Sequence, residues 1–111
     1  MKAQTEYSAF NSLDIRVGRI VSAEPAATRK PTYRITVDFG AEIGTRVSCG
    51  GYTHYPAESL VGRMVAAVMN LGTKRMGPEI SEILILGANN ERGETILLEP
   101  EGEVPLGAQV L

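Results

Sequence analysis

Lys74 and Arg75 stand side by side in a polar stretch that opens at Asn70 and closes at Ser81, between apolar runs at 64–69 and 83–86. Adjacent cations on a short loop can hold phosphates, because each neutralised phosphate releases condensed counterions. A serine hydroxyl or an asparagine amide can add a directional bond to the same backbone. Asn70, Lys74, Arg75 and Ser81 are therefore the first candidates for contact with a polyanion. A second group, Arg29, Lys30, Tyr33 and Arg34, sets three cations and a phenol at the mouth of another apolar alternation. These cations also suit phosphates, and a tyrosine can stack a base. Tyr33 shares its face with Ile35 and Val37, however, which favours the core for that ring. A third group follows Gly50-Gly51: Tyr52, His54 and Tyr55 offer a stacking or peptide-contact surface, or a cap over one end of the fold.

Catalytic chemistry finds little support. Cys49 and His54 are the single cysteine and the single histidine. Their spacing fits neither a strand nor a helix face that would pair them, and no third group orients the imidazole. One Cys and one His do not make a zinc site. Gly72-Thr73-Lys74 lacks the rest of a phosphate-loop motif. No cofactor is expected.

The totals narrow the class. A chain of 111 residues with 43% hydrophobic content makes one domain, 1–111, with one modest core. Burial is marginal at this size, which favours a dimer. One cysteine permits no internal disulfide, no apolar run spans a bilayer, and the N-terminal residues lack a signal-peptide core, so the cytoplasm is the expected compartment. The formal charge of −2 argues against nucleic acid until its distribution is read. Through Gly77 there are 10 Lys and Arg against 6 Asp and Glu; from Pro78 onward there is 1 against 7. Balances of +4 and −6 sum to −2 and can leave a basic face on an acidic protein. Aromatics are only 5%, with no Trp, too few for a long single-strand platform. A folded RNA read by shape and backbone fits better.

These side chains need a scaffold, and its pattern is β. Strands are expected at 15–24, 33–39, 45–49, 64–69, 83–86 and 95–99, with a turn at 89–93. In the first strand the apolar phase changes after Val17, which predicts a bulge at Gly18. The runs at 64–69 and 83–86 are apolar throughout and should be covered on both sides. Pro56 and Gly62 bracket a short helix, and 8–13 is a candidate N-terminal turn. Three strands, a helix and further strands predict an all-β fold: a five-stranded OB-fold Greek-key barrel with a short helix between strands 3 and 4, with an SH3-like barrel or a small sandwich as the alternative. Residues 1–12 form an N-terminal extension. Val104, Leu106, Val110 and Leu111 make 100–111 too apolar for a free end, so this segment is expected at a dimer interface or over the barrel.

Three segments carry a family resemblance: Leu13-Asp14-Ile15-Arg16-Val17-Gly18-Arg19-Ile20, Tyr55-Pro56-Ala57-Glu58-Ser59-Leu60-Val61-Gly62-Arg63, and Asn70-Leu71 with Ser81-Glu82-Ile83-Leu84-Ile85-Leu86-Gly87-Ala88. In this order the chain resembles the tRNA-binding domain family, OB-fold modules that occur alone as dimers or appended to synthetases. The stretch from Arg29 to Gly40 is similar to a secretion-chaperone subgroup. The resemblance implies a non-enzymatic, homodimeric tRNA binder, with preproteins or peptides as the alternative ligand. It puts the RNA-contacting loop on Asn70, Lys74, Arg75 and Ser81. Thr73 and Pro78 depart from the family, where many members have proline and glycine. Ser48-Cys49-Gly50-Gly51 departs from the chaperone subgroup, which bears on peptide contacts at Tyr52 and Tyr55.

Overall fold

All 111 residues are described by the structure, a computed structural model. Tyr33, Ile35 and Val37 alternate with Arg34, Thr36 and Asp38, and this alternation forms strand β2 (Tyr33–Asp38). Strand β2 lies between β1 (Ile15–Pro25) and β3 (Thr45–Gly50), both antiparallel to it. The first strand is long enough to serve two partners. Its second half, Arg19 to Pro25, pairs with β2; its first half, Ile15 to Arg19, pairs with β4 (Met64–Val68). Strand β4 in turn pairs with β7 (Leu84–Ile85), giving the order β3-β2-β1-β4-β7. Two small ribbons complete the β structure: β5 (Lys74–Met76) with β6 (Glu79–Ser81), and β8 (Gly87–Asn89) with β9 (Thr95–Leu97). The result is the nearly closed antiparallel barrel expected of an OB-fold. Helices are short, α1 (Tyr7–Asn11) and α2 (Ala57–Leu60), and neither is long or apolar enough to cross a membrane.

Ile20, Ile35, Val37, Phe39, Leu60 and Val65 fill the barrel and are fully buried. Leu60 comes from α2, which plugs one end. Burial of each such side chain contributes about 1.5–3 kcal/mol. The bulge in β1 lies elsewhere than the sequence suggests. Gly18 pairs with Val65 in unbroken register, and the shift falls between Ile20 and Ser22, at Val21. Gly18 has a different role. A Cβ there would lie 2.6 Å from Val37 Cγ1 and 2.8 Å from the Phe39 ring, so only glycine lets the core close.

The phase change in β1 reflects two buried faces. Gly18 and Ile20 point into the barrel, whereas Ile15 and Val17 lie outside it yet are 6% and 7% exposed. Along this part of β1 runs the C-terminal segment. Gly107 N–H donates to Val17 C=O at 2.8 Å, Val17 N–H to Ala108 C=O at 2.9 Å, and Val110 N–H to Ile15 C=O at 2.8 Å. Strand β4 is covered on both sides, with four of its five residues buried. Strand β7 differs from expectation: Leu84 is exposed because it sits at the sheet's edge.

Candidate nucleic-acid interface

The stretch between Asn70 and Ser81 is an ordered hairpin. Lys74 faces Ser81, Arg75 faces Ile80, and Met76 faces Glu79 across it. Gly77 and Pro78 make the turn. Gly77 has φ +61, and proline fixes the negative φ that must follow in a type II′ turn. Lys74 and Arg75 project into solvent.

Side chains hang this hairpin on the edge of β3. Ser81 Oγ accepts Cys49 N–H and donates to Ile83 C=O, both at 3.1 Å. The Glu82 carboxylate accepts Val47 N–H at 2.9 Å, and Glu82 N–H donates to Val47 C=O at 2.7 Å. These bonds occupy positions that a neighbouring strand would otherwise fill. Ser81 is 8% exposed, so its hydroxyl is a barrel-closing group rather than the outward contact expected of it. Asn70 is similarly engaged: its Oδ1 accepts Asp14 N–H at 2.8 Å and its Nδ2 donates to Ser12 C=O at 2.9 Å. It staples the segment after α1 to the exit of β4.

Glu79 fastens the hairpin to the loop at 26–32. Its carboxylate accepts Arg34 Nη1 at 2.8 and 3.1 Å and Ala27 N–H at 3.4 Å. Arg34 lies 3.6 Å from Glu24 as well. The Arg34 guanidinium holds the Glu79 carboxyl below the usual carboxylate range, and the two acids raise Arg34. Arg34 is thus already neutralised, a poor phosphate ligand. Within the loop, Thr28 and Thr32 hydroxyls both donate to Lys30 C=O, at 2.7 and 2.9 Å, and Ala26 N–H donates to Thr32 C=O at 2.9 Å. The backbone that carries Arg29 and Lys30 is therefore fixed while both side chains remain exposed.

Counting partners separates the eleven cations. Arg16, Arg19, Arg34, Arg63 and Arg92 are in ion pairs. Arg46 donates to the Ile43 and Thr45 carbonyls. Apart from Lys2 near the N-terminus, those left without an ion pair are Arg29, Lys30, Lys74 and Arg75, on two touching segments. The loop and the hairpin tip line one cavity of about 680 Å³. Lys74 also borders a second cleft of about 390 Å³, with Leu71, Tyr52, Ile83 and Leu84 among its walls.

Three of the four tyrosines are structural ties. Tyr33 OH donates to Tyr55 C=O at 2.8 Å, Tyr55 OH accepts Leu97 N–H at 3.3 Å, and Tyr52 OH donates to Ile85 C=O at 3.3 Å. Tyr52 is 6% exposed and belongs to the core cluster, although it also borders the second cleft. The Tyr55 ring is flanked by Arg63, 5.0 Å from its centroid, and His54, 4.4 Å between centroids. His54 packs against Tyr55 with the ring planes tilted by 41° and has no bond to Cys49. Burial and Glu79 push the Cys49 thiol up, so it stays protonated at neutral pH.

Sequence reasoning missed Glu79 and Met76. An acid one residue past the turn of a basic hairpin is the available signal for Glu79. Met76, between Arg75 and Gly77, breaks a polar run and lines both cavities.

Comparison with known proteins agrees with this fold. The chain is 34% identical over 110 residues to the methionine–tRNA ligase of Bacteroides fragilis, matching 99% of its own length but spanning only 16% of the ligase. The crystal structure of the chaperone CsaA from Bacillus anthracis str. Ames superposes with a TM-score of 0.92 at 35% identity, covering 98% of this chain and all of the other. The MetRS-related protein from Pyrococcus horikoshii gives a TM-score of 0.87 at 28% identity, covering 99% and 100% of the two chains. The sequence profile of the tRNA binding domain family matches residues 15–109, and the chain belongs to that family.

Proposed function

We propose that this protein binds tRNA through its backbone and shape, without transforming it, and that Arg29, Lys30, Lys74 and Arg75 make the phosphate contacts. One observation carries the reading: these cations are free of ion pairs and lie on segments tied together by Glu79. Ser81, Asn70 and Arg34 act behind them, holding the hairpin, the β4 exit and the loop. Titration with total tRNA at several salt concentrations tests the proposal. Affinity should fall steeply with salt, with each neutralised phosphate adding roughly 0.7–0.9 to the log–log slope. Lys74→Ala/Arg75→Ala should weaken binding about tenfold or more and lower the slope. Salt-independent binding, or an unaffected variant, would refute it.

The protein acts as a homodimer in this proposal. Tyr7, Phe10 and Leu111 are 88%, 41% and 99% exposed and border one apolar cleft between the two ends of the chain, a surface that association would cover. Deleting residues 104–111 should dissociate or unfold the protein in sedimentation and melting experiments; a stable monomer with full tRNA affinity would count against this role.

A second reading, a chaperone of preproteins or peptides in the cytoplasm, draws on the apolar cleft beside Lys74 and on the likeness to CsaA. Apolar peptide binding would not weaken with salt as phosphate binding does.

A further inference from the structure

Arginine and lysine are divided unevenly in this chain. Its lysines are Lys2, Lys30 and Lys74; the other cations are arginines. Every cation in an ion pair is an arginine, and so is the one that binds the Ile43 and Thr45 carbonyls. The side-chain work of holding the fold falls on arginine alone. Two of the lysines belong instead to the exposed, unpaired group, each directly beside an arginine in Arg29-Lys30 and Lys74-Arg75.

The two kinds of cation differ in one respect that matters here. A guanidinium keeps its charge throughout the pH range of proteins, whereas a lysine amine can be acylated and then carries none. Half of the unpaired group is therefore permanent and half is erasable. Erasing it would leave the scaffold intact. Lys30 is tied to its loop through its backbone carbonyl, which accepts the Thr28 and Thr32 hydroxyls, and not through its ammonium.

The setting of Lys30 suits one acyl donor, an acyl phosphate. Arg29 and Lys30 line the same cavity of about 680 Å³. A small dianion drawn into it meets a guanidinium next to an amine. With the phosphate on Arg29, the free-base amine of Lys30 attacks the acyl carbon. A C–N bond forms and the C–O bond to phosphorus breaks on the carbon side. Phosphate leaves with the electron pair and takes up the proton that the amine gives up. Arg29 neutralises charge gathering on the leaving phosphate. Lys74 is less well placed. It and Arg75 are successive residues of β5, so their side chains point to opposite faces of the ribbon. Lys2 has no arginine beside it in sequence.

We propose that Lys30 and Lys74 are acylation sites, Lys30 the faster, and that acyl transfer from an acyl phosphate turns RNA binding down without unfolding the barrel. The regulatory half of the proposal rests on the tRNA-binding reading; the acylation half does not.

The test treats the whole protein with acetyl phosphate and follows each lysine by peptide mass spectrometry. Lys30 should gain its acetyl group about threefold to tenfold faster than Lys2, the scale of a local rise in anion concentration. Arg29→Gln should remove that lead and leave Lys2 unchanged. Bound tRNA should slow Lys30 and Lys74 but not Lys2. Protein acetylated at both positions should bind tRNA about tenfold or more weakly, with a log–log salt slope lower by roughly 1.4–1.8 for two lost phosphate contacts. Its denaturant midpoint should not move. Lys30→Arg/Lys74→Arg keeps the charge and should keep its tRNA affinity through the same treatment. Equal rates at Lys30 and Lys2, or full tRNA affinity in the acetylated protein, would overturn the proposal and leave tRNA binding standing. Failure of the untreated protein to bind tRNA would overturn the tRNA-binding reading and the regulatory half with it, whatever the acetylation rates.

Discussion

Two regions of this barrel carry arginines and lysines, and they use them differently. Around the hairpin, Arg29, Lys30, Lys74 and Arg75 are exposed and unpaired. Around residues 99–103, Arg19 is held by Glu103 at 2.9 Å and Arg63 by Glu99 at 3.5 Å. A cation already beside a carboxylate gains little from a phosphate, because it must first give up its partner. Availability therefore decides where an anion binds, more than number does. The two uses meet within one strand: Arg34 is locked by Glu79, while the loop before it presents Arg29 and Lys30.

The largest effect expected is on RNA affinity. Replacing Arg29, Lys30, Lys74 and Arg75 together by alanine should reduce tRNA affinity about 100-fold or more at low salt. Arg19→Ala/Arg63→Ala should leave it within about twofold. Equal losses in a filter-binding or fluorescence titration would break the comparison, since total charge would then be the determinant.

A smaller effect separates position from charge. Glu79→Gln raises the net charge by one and on charge alone should strengthen binding. As the tie between loop and hairpin, its loss should weaken binding by about threefold to tenfold instead. Tighter binding by the variant would remove Glu79 from any positioning role. The same group predicts a pH dependence. The folded-state pKa of Glu79 is depressed by Arg34, so its contribution to stability is fully present above the unfolded carboxylate value, about 4.3, and is lost as pH falls through the lower folded value. Denaturant midpoints measured from neutral pH downward should show this loss, and Glu79→Gln should flatten it.

The smallest effect on binding belongs to Ser81→Ala. It leaves Cys49 N–H without its partner in a buried site and should cost about 1–3 kcal/mol of folding stability. Affinity of the folded variant for tRNA should change by less than about twofold. A loss of affinity with no loss of stability would return Ser81 to the contact surface.

The alternation of Tyr33 to Asp38 and the apolar run of β4 are local signals, and they placed those strands correctly. The phase change after Val17 was also visible, but its cause was not. The backbone of Ile15 and Val17 pairs with residues some ninety positions later, and no local pattern reports that. Lys74 and Arg75 could be read as exposed cations from their setting. That Arg34 is neutralised could not, because Glu79 is 45 positions away and only the folded barrel brings it within 2.8 Å. Tyr52 was ambiguous for a similar reason: glycines at 50 and 51 announce an unusual path without saying whether it leads inward.

The pairing of residues 107–110 with β1 bears on how the chain is made. Synthesis runs from the N-terminus, so β1 and its partners β2 and β4 leave the ribosome long before Gly107 to Val110 do. Until then Val17 N–H, Val17 C=O and Ile15 C=O lack their partners, and this edge of the strand is open. The nascent barrel thus passes through a stage in which its oldest strand is its stickiest. Contacts of such long sequence separation also form slowly. Ribosome-bound chains truncated before and after residues 107–110 should therefore differ sharply in resistance to protease, with the change set by the arrival of the last strand-like segment rather than by completion of the barrel core.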